Sequence, residues 1–333
     1  MDTAAAGHPV PRAVIGARIR RLRESQSLTL EQLAGALADT DDPQALRRQA
    51  ESLARLEEGS HLPSIKILLQ IARALGRRLG HLMDEYATVE PVIMRAADLR
   101  RAGCLMGSNV DGAEDELAWY ALAENKADRH MEPWLIELRP RPQDAARQEG
   151  HEAEEFVYVL SGQVVVMHGH SRYELAAGDS INYNGTVPHH LHAVGEQPAR
   201  IIAVFYGYMK NEPSVTRGWP AQRVPRTSAM GYTLPDGNLA YYQAAQRTPE
   251  SVRPFLVEVG PEQLPQASYR HEGEELHHVL SGRALSVFGE GPGERKYELS
   301  AGDSIYFDSL VPHRMERVGD AVARVLTVAY EPA

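Results

Sequence analysis

The stretch HEAEEFVYVLSG (151–162) returns as HEGEELHHVLSG (271–282), and this recurrence decides how the chain is read. Each copy is a short run rich in Val, Leu, Phe or His that ends at a glycine, Gly162 or Gly282, the pattern of a strand running into a hairpin. Working outward, YELAAGDSINYNGTVPHH (173–190) matches YELSAGDSIYFDSLVPHR (297–314), and EPWLIEL (132–138) matches RPFLVEV (253–259). LAWYALAENK (117–126) is echoed in turn by LAYYQAAQRT (239–248). The offset stays between 120 and 124 residues throughout, so these are duplicated domains and not short solenoid repeats. From about residue 117 the apolar period is 2, an all-β signal, and RGWPAQRVPRTSAMGYTLPDGN (217–238) reads as the linker between the copies.

Each copy carries the same three candidate metal ligands: His151, Glu155 and His189 in the first, His271, Glu275 and His313 in the second. The patterns H-x3-E-x6-G and G-D-S-x7-P-H resemble the two motifs of the cupin superfamily. That resemblance implies two jelly-roll β-barrels, with the three side chains converging in each barrel mouth. Two neutral imidazoles and one carboxylate on one face of an octahedron leave positions open for substrate, oxygen or water. The set suits Fe(II), with Mn, Ni, Co or Zn as alternatives. Tyr120 and Tyr242 occupy matching places in the repeats and are expected to reach the metal pockets as weak substrate contacts. The further histidines His168, His170, His190, His192, His277 and His278 are read as packing or outward-facing residues, because strand alternation turns half of them away from the interior.

Residues 13–86 have a helical period. Ile15, Ile19 and Leu22 share one face, Thr29 and Gln32 have the spacing of a capping box, and Pro63 precedes the stripe Ile65, Leu68, Leu69, Ala72, Leu75. The segments IGARIRRLRESQSLTLEQLA, ESLARLEEG and LPSIKILLQIARALG resemble the Cro/repressor-type helix-turn-helix family. By that resemblance Gln49 to Glu57 would enter the major groove, with Arg47, Arg48 and Arg55 as DNA-binding cations. One departure stands out: ADTDDPQALRRQA (38–50), with Asp39, Asp41 and Asp42, is longer and more acidic than a tight turn between two such helices. The expected fold class is therefore multidomain, α followed by all-β. A helix-turn-helix bundle would occupy 1–88, a first cupin barrel 89–216, the linker 217–238 and a second cupin barrel 239–333.

Composition narrows the function. The apolar fraction of 43% and charged fraction of 24% are those of an ordinary globular protein. No run approaches the roughly 18 apolar residues of a membrane span, so no membrane partner is expected. The N-terminus does not read as a secretory leader. Cys104 is the single cysteine, which rules out an intrachain disulfide and points to a reduced, cytoplasmic setting. The formal charge of −10 falls on the part after residue 88, so a nucleic acid would have to contact the head. The order of parts, with GHEAEEFVYVLSG and TVPHH, is similar to hydroxypropylphosphonate epoxidase and related non-haem iron cupin enzymes. This likeness implies a non-haem Fe(II)-dependent oxygenase or oxidase acting with dioxygen on a small polar or acidic molecule. Gln148–Glu149 and the residues near Gly112 and Ser27 lack the basic groups of a phosphonate grip, while Arg129, Arg139 and Arg147 are available cations. A transcriptional regulator whose cupins sense a small-molecule effector or metal, and a metal-dependent isomerase or lyase, are the competing readings. A homo-oligomer is expected, since cupins and repressor heads commonly dimerise.

Overall fold

Four helices open the chain in the computed structural model, which describes residues 12–331 apart from 26–27, 38–41, 61–62, 76–78, 80–81, 83–90, 103–116, 125, 127–128, 141–147, 149, 208–220, 227–230, 244–251, 261–266 and 272. Cys104, Gly112, Ser27, Glu149 and Arg147 lie outside the described residues. Helices α1 (Arg12–Ser25), α2 (Leu30–Leu37), α3 (Pro43–Glu57) and α4 (Ile65–Ala74) bury Ile15, Ile19, Leu33, Ala34, Leu53, Leu56, Leu68 and Ile71 against one another. Thr29 and Gln32 close the capping box: the Gln32 amide donates to Thr29 Oγ1 at 3.1 Å and the Thr29 amide to Gln32 Oε1 at 2.8 Å. At the centre of the bundle Arg23 grips the buried Glu57 with Nε to Oε1 at 2.6 Å and Nη2 to Oε2 at 2.8 Å.

Of the segment 38–50, expected as a long acidic connection, the described residues after Asp42 are helix. Asp42 accepts the amides of Gln44 and Ala45 at 3.1 and 3.3 Å, and Pro43 takes the first helical position, so α3 starts well before Gln49. The acidic residue serves as a cap, and the helix carrying Arg47, Arg48 and Arg55 is 15 residues long.

The first half contains strands β2 (Leu117–Ala121), β3 (Met131–Leu138), β4 (Glu154–Ser161), β5 (Gln163–His168), β6 (Ser171–Ala176), β7 (Ser180–Asn184), β8 (His189–Ala193) and β9 (Ala199–Tyr206). The second contains β11 (Gly231–Thr233), β12 (Leu239–Tyr242), β13 (Val252–Val259), β14 (Glu274–Ser281), β15 (Arg283–Phe288), β16 (Arg295–Ser300), β17 (Ser304–Asp308), β18 (His313–Arg317) and β19 (Ala323–Tyr330). Two three-residue strands lead into them, β1 (Val92–Met94) and β10 (Gln222–Val224). All the ladders are antiparallel.

The expected closed barrels do not form. The sheets are open, with the linear orders β10-β7-β4-β9-β3-β2 and β6-β5-β8 in one half, β1-β17-β14-β19-β13-β12-β11 and β16-β15-β18 in the other. Each half is a large sheet facing a three-stranded one, and single bridges such as Pro140–Ala193 and Tyr269–His313 stand where a closing ladder would run. Closure needs a continuous stagger of hydrogen bonds around the ring, and the short edge strands do not supply it.

β4 is buried on both faces, which explains why its sequence is almost continuously apolar. Val157 and Val159 face the interior of the first half, whereas Phe156 and Tyr158 face a cluster holding Leu276, Tyr306, Leu326 and Val328 of the second. The two large sheets thus pack back to back. Lys126 to Asp308 and His130 to Glu274, each at 2.7 Å, add polar links between them.

The lead-in strands are exchanged. β1 precedes the first half but pairs with β17 of the second, and β10 precedes the second half but pairs with β7 of the first. Each lands on the A-G-D-S turn of the half it joins. Asp303 accepts from Arg95 Nη1 at 2.8 Å and the Ala96 amide at 2.9 Å, while Asp179 accepts from Arg223 Nη2 at 2.6 Å and the Arg226 amide at 3.0 Å.

Candidate metal centre

The G-D-S-x7-P-H segment builds a strand, a turn and a second strand, so β7 belongs to the large sheet of the first half and β8 to the small one. His189, the first residue of β8, thereby meets Glu155 on β4 and His151 just before it. The three offer ligand atoms that all lie within 4.8 Å of one another, and His271, Glu275 and His313 do the same in the second half. All six residues are buried except His271, which is partly exposed.

The tautomers are fixed by the backbone. His189 Nδ1 lies 2.8 Å from the Val187 carbonyl, and His313 Nδ1 2.8 Å from that of Val311. A carbonyl only accepts, so each Nδ1 carries the proton and each neutral ring presents the lone pair of Nε2. Those lone pairs face carboxylate oxygens, with His189 Nε2 3.1 Å from Glu155 Oε1 and His313 Nε2 3.6 Å from Glu275 Oε1. His313 Nε2 is buried with no hydrogen-bond partner. His151 and His271 direct Nε2 at the same oxygens, the latter at 2.6 Å. Several ligand atoms converging on one point, most of them buried, suit a cation held among them. The donor set fits a divalent transition metal.

Electrostatics agrees. Burial by itself would raise Glu155, but His189 and His151 hold it below the usual carboxylate range, and Glu275 is depressed in the same way by His271, His277 and His313. Burial opposes charge on His189, yet Glu155 raises its pKa above the ordinary histidine value.

The second carboxylate oxygen is held differently in each half. In the first, the Tyr183 hydroxyl donates to Glu155 Oε2. In the second, Phe307 stands at that place opposite Glu275, and His277 reaches Glu275 Oε2 at 2.6 Å instead. Val157 takes the place of His277 in the first half, so Val157/Tyr183 and His277/Phe307 are alternative solutions to one task. Strand alternation was expected to turn half of the extra histidines outward; His277 points inward and His278 bonds Ser304 Oγ at 2.8 Å on the other face. His168 also lies beside the first triad, its ring 6.4 Å from His189, with Nε2 3.0 Å from the Asn184 carbonyl. Mainly through burial, its pKa is lowered.

Gly185 lets His151 take its position. A Cβ there would stand 2.6 Å from the ring and from the Ala153 carbonyl oxygen. The matching residue in the second half is Ser309, and His271 sits further out, with 25% of its side chain exposed against 6% for His151.

Tyr120 and Tyr242 do not occupy equivalent places. Tyr120 lies opposite Leu135 in β3, on the face that packs between the halves; its neighbour Trp119 faces the interior, stacked on Phe205 at 6.3 Å, and Phe205 in turn lies 5.4 Å from the His151 ring. Tyr242 lies opposite Phe255 and packs inside the second half, 5.0 Å from Tyr232. Pairing shifts by one residue between the copies, and a one-residue shift exchanges faces. Arg47, Arg48 and Arg55 are exposed on α3, far along the chain from either triad, and Arg48 lies 3.9 Å from Asp42. Arg129 is buried against Glu132 at 2.6 Å.

Comparison with known proteins places this geometry. The Cupin domain family model matches residues 134–205 and again 255–329. An uncharacterised protein of Methanocaldococcus jannaschii is 30% identical over 83 residues, which is 25% of this chain; the match spans 62% of that relative's length. Among solved structures, Streptomyces albus 2-hydroxyethylphosphonate dioxygenase with substrate and Fe(II) bound superposes with a TM-score of 0.58 at 13% identity, covering 97% of this chain and 93% of that one. A Bacillus subtilis oxalate decarboxylase mutant gives 0.55 at 15% identity, over 75% of this chain and 79% of that one. The chain thus carries two matches to the Cupin domain model, and its fold is similar to that of these solved structures.

Proposed function

We propose that this double cupin is a non-haem Fe(II)-dependent oxygenase or oxidase of a small polar molecule. The observation that carries the reading is a 2-His-1-carboxylate set, repeated in two halves, whose closing histidines have their tautomers fixed so that Nε2 faces the buried carboxylate. The likeness to a dioxygenase solved with Fe(II) supports iron over other metals. His151, Glu155 and His189 would hold one ion, and His271, Glu275 and His313 a second. Bound there, Fe(II) supplies the electrons for dioxygen chemistry. The protein's own groups do the rest. Trp119 and Phe205 wall the first site with aromatic surface and exclude water from it. Tyr183 fixes the orientation of Glu155. His168, kept neutral, donates Nε2–H to the Asn184 carbonyl, and its Nδ1 can accept a proton.

The head belongs to this reading as part of the wall. Its buried residues run into the core of the first half in one continuous cluster, and Arg73 of α4 pairs with Glu152, next to His151. We take the units as 1–88, 89–216, 217–238 and 239–333, and place the protein in the cytoplasm as a homo-oligomer; no described helix is long and apolar enough to cross a membrane. One observation favours a second reading, a helix-turn-helix regulator: Arg47, Arg48 and Arg55 are all exposed on α3. The separating experiment loads the protein with Fe(II) anaerobically, admits air, and follows oxygen uptake with a panel of small hydroxy and carboxylic acids. Substrate-dependent uptake lost in His151→Ala or His271→Ala supports the oxygenase and identifies the working half. Tight iron without uptake, together with DNA binding that falls steeply with salt and is lost in Arg47→Ala/Arg48→Ala/Arg55→Ala, establishes the regulator.

A further inference from the structure

Back-to-back packing of the two large sheets leaves a cleft of about 1090 Å³ between the halves, and none of the six candidate metal ligands lines it. Its walls come from matching positions of the duplication: Tyr158 opposite His278, Arg200 opposite Arg324, Leu160 opposite Leu280. Arg226, from the segment after β10, is added across the first A-G-D-S turn. Gly178 there has φ +92°, and a Cβ at that position would stand 3.1 Å from the Arg226 side chain.

The cleft is cationic in a protein whose formal charge is −10. Three guanidinium groups line it, Arg200, Arg226 and Arg324, against one carboxylate, Glu258. Glu258 pairs with Arg324 at 2.9 Å, and Glu137 sits 3.3 Å from Arg200. Arg226 donates its backbone amide to Asp179, but among the described residues no carboxylate pairs with its guanidinium. Tyr158 is 94% buried (6% exposed), and its hydroxyl has no hydrogen-bond partner among the described residues. His278, pushed down to about 4 by burial and by Arg200, is neutral, so the positive charge of the cleft comes from its arginines. The remaining wall is apolar, with Leu135, Leu160, Leu256 and Leu280.

We propose that this cleft is a second ligand site, for an amphipathic organic anion whose carboxylate or sulfonate head lies between Arg226, Arg324 and the Tyr158 hydroxyl and whose apolar body lies on the leucines. An anionic head would accept from two guanidinium groups and from an otherwise unpartnered phenol. The site is independent of the metal centres, and its occupancy would bear on how the two halves sit together.

The test uses the full-length, metal-loaded protein and 8-anilinonaphthalene-1-sulfonate as the fluorescent probe. The expected result is saturable binding of one probe per chain, displaced by octanoate and not by octanol. Arg226→Ala and Tyr158→Phe should each weaken the probe at least tenfold, the scale of one lost charge-assisted hydrogen bond, with metal content unchanged. Tyr158→Phe keeps the buried ring, so its loss of binding would report the hydroxyl and not the fold. Arg172→Ala, on an exposed strand pair elsewhere, is the control. If Arg226→Ala and Tyr158→Phe bind the probe as the control does, or if octanol displaces it as well as octanoate, the proposal is overturned.

Discussion

Tyr183→Phe removes one hydroxyl from the first centre and little else. The phenol donates to Glu155 Oε2, and both residues are fully buried, so water cannot replace the lost donor. The ring itself is tolerated: the second half carries Phe307 at the same place in the strand. A hydrogen bond to a buried charge is worth roughly 1.5–3 kcal/mol, and removing an outer partner of a ligand typically weakens metal about 10–100-fold. The two scales agree, since ~1.4 kcal/mol is a factor of ten. Competition against a chelator, in a His313→Ala background so that only the first centre is read, should therefore show metal bound about 10–100 times more weakly. Adding Val157→His to Tyr183→Phe reproduces the His277/Phe307 arrangement and should recover most of the loss. Unchanged affinity in Tyr183→Phe would refute the claim that this hydroxyl holds the carboxylate, and failure of the histidine to rescue would refute the equivalence of the two arrangements.

Three further outcomes are expected. Gly185→Ala places a methyl where the His151 ring lies, and overpacking of this kind costs about 1–3 kcal/mol; equilibrium dialysis should show the first centre losing metal at least about tenfold while the second is unaffected. Asp303→Ala strips the receptor for the exchanged strand β1, leaving the Ala96 and Ser300 amides without their acceptor, and should lower stability by roughly 2–4 kcal/mol in urea melts. In the metal-free protein, the raised pKa of His189 contributes stability that is present below its unfolded value near 6.5 and lost as pH rises through the folded value; the depressed Glu155 and Glu275 contribute stability present above about 4.3 and lost as pH falls through their folded values. Melting temperatures in chelator should then fall as pH rises above about 6.5, and the gain on adding metal should grow over the same range. A flat chelated profile would contradict the assigned pairing of His189 with Glu155.

The ligand sets were legible because their spacing repeats: His-x3-Glu and Pro-His each occur twice, and the structure gathers each set. What lay beyond the sequence depended on register and on long-range pairing. Trp119 faces the interior of the first half and Tyr120 does not, because the pairing of the edge strand differs by one residue between copies. His277 could not be told from an outward residue until the strand's face was fixed by the Val157/Tyr183 exchange. The reciprocal lead-in strands are three residues each, too short for a periodic signal, and nothing in the local sequence marks the A-G-D-S aspartates as their receptors. Closed barrels were inferred from resemblance; the ladders actually formed leave each large sheet with two free ends. The acidic insertion in the head misled for a related reason, since an aspartate before a proline marks a helix start as readily as a loop.

The central claim is that each half holds one divalent ion through its own two histidines and glutamate. The most direct measurement is the metal content per chain after anaerobic loading with Fe(II) and removal of excess, in wild type, His151→Ala, His313→Ala and the double variant. Two ions, one, one and none are expected, respectively. Wild-type content that stays the same in the double variant would place the metal elsewhere and contradict it.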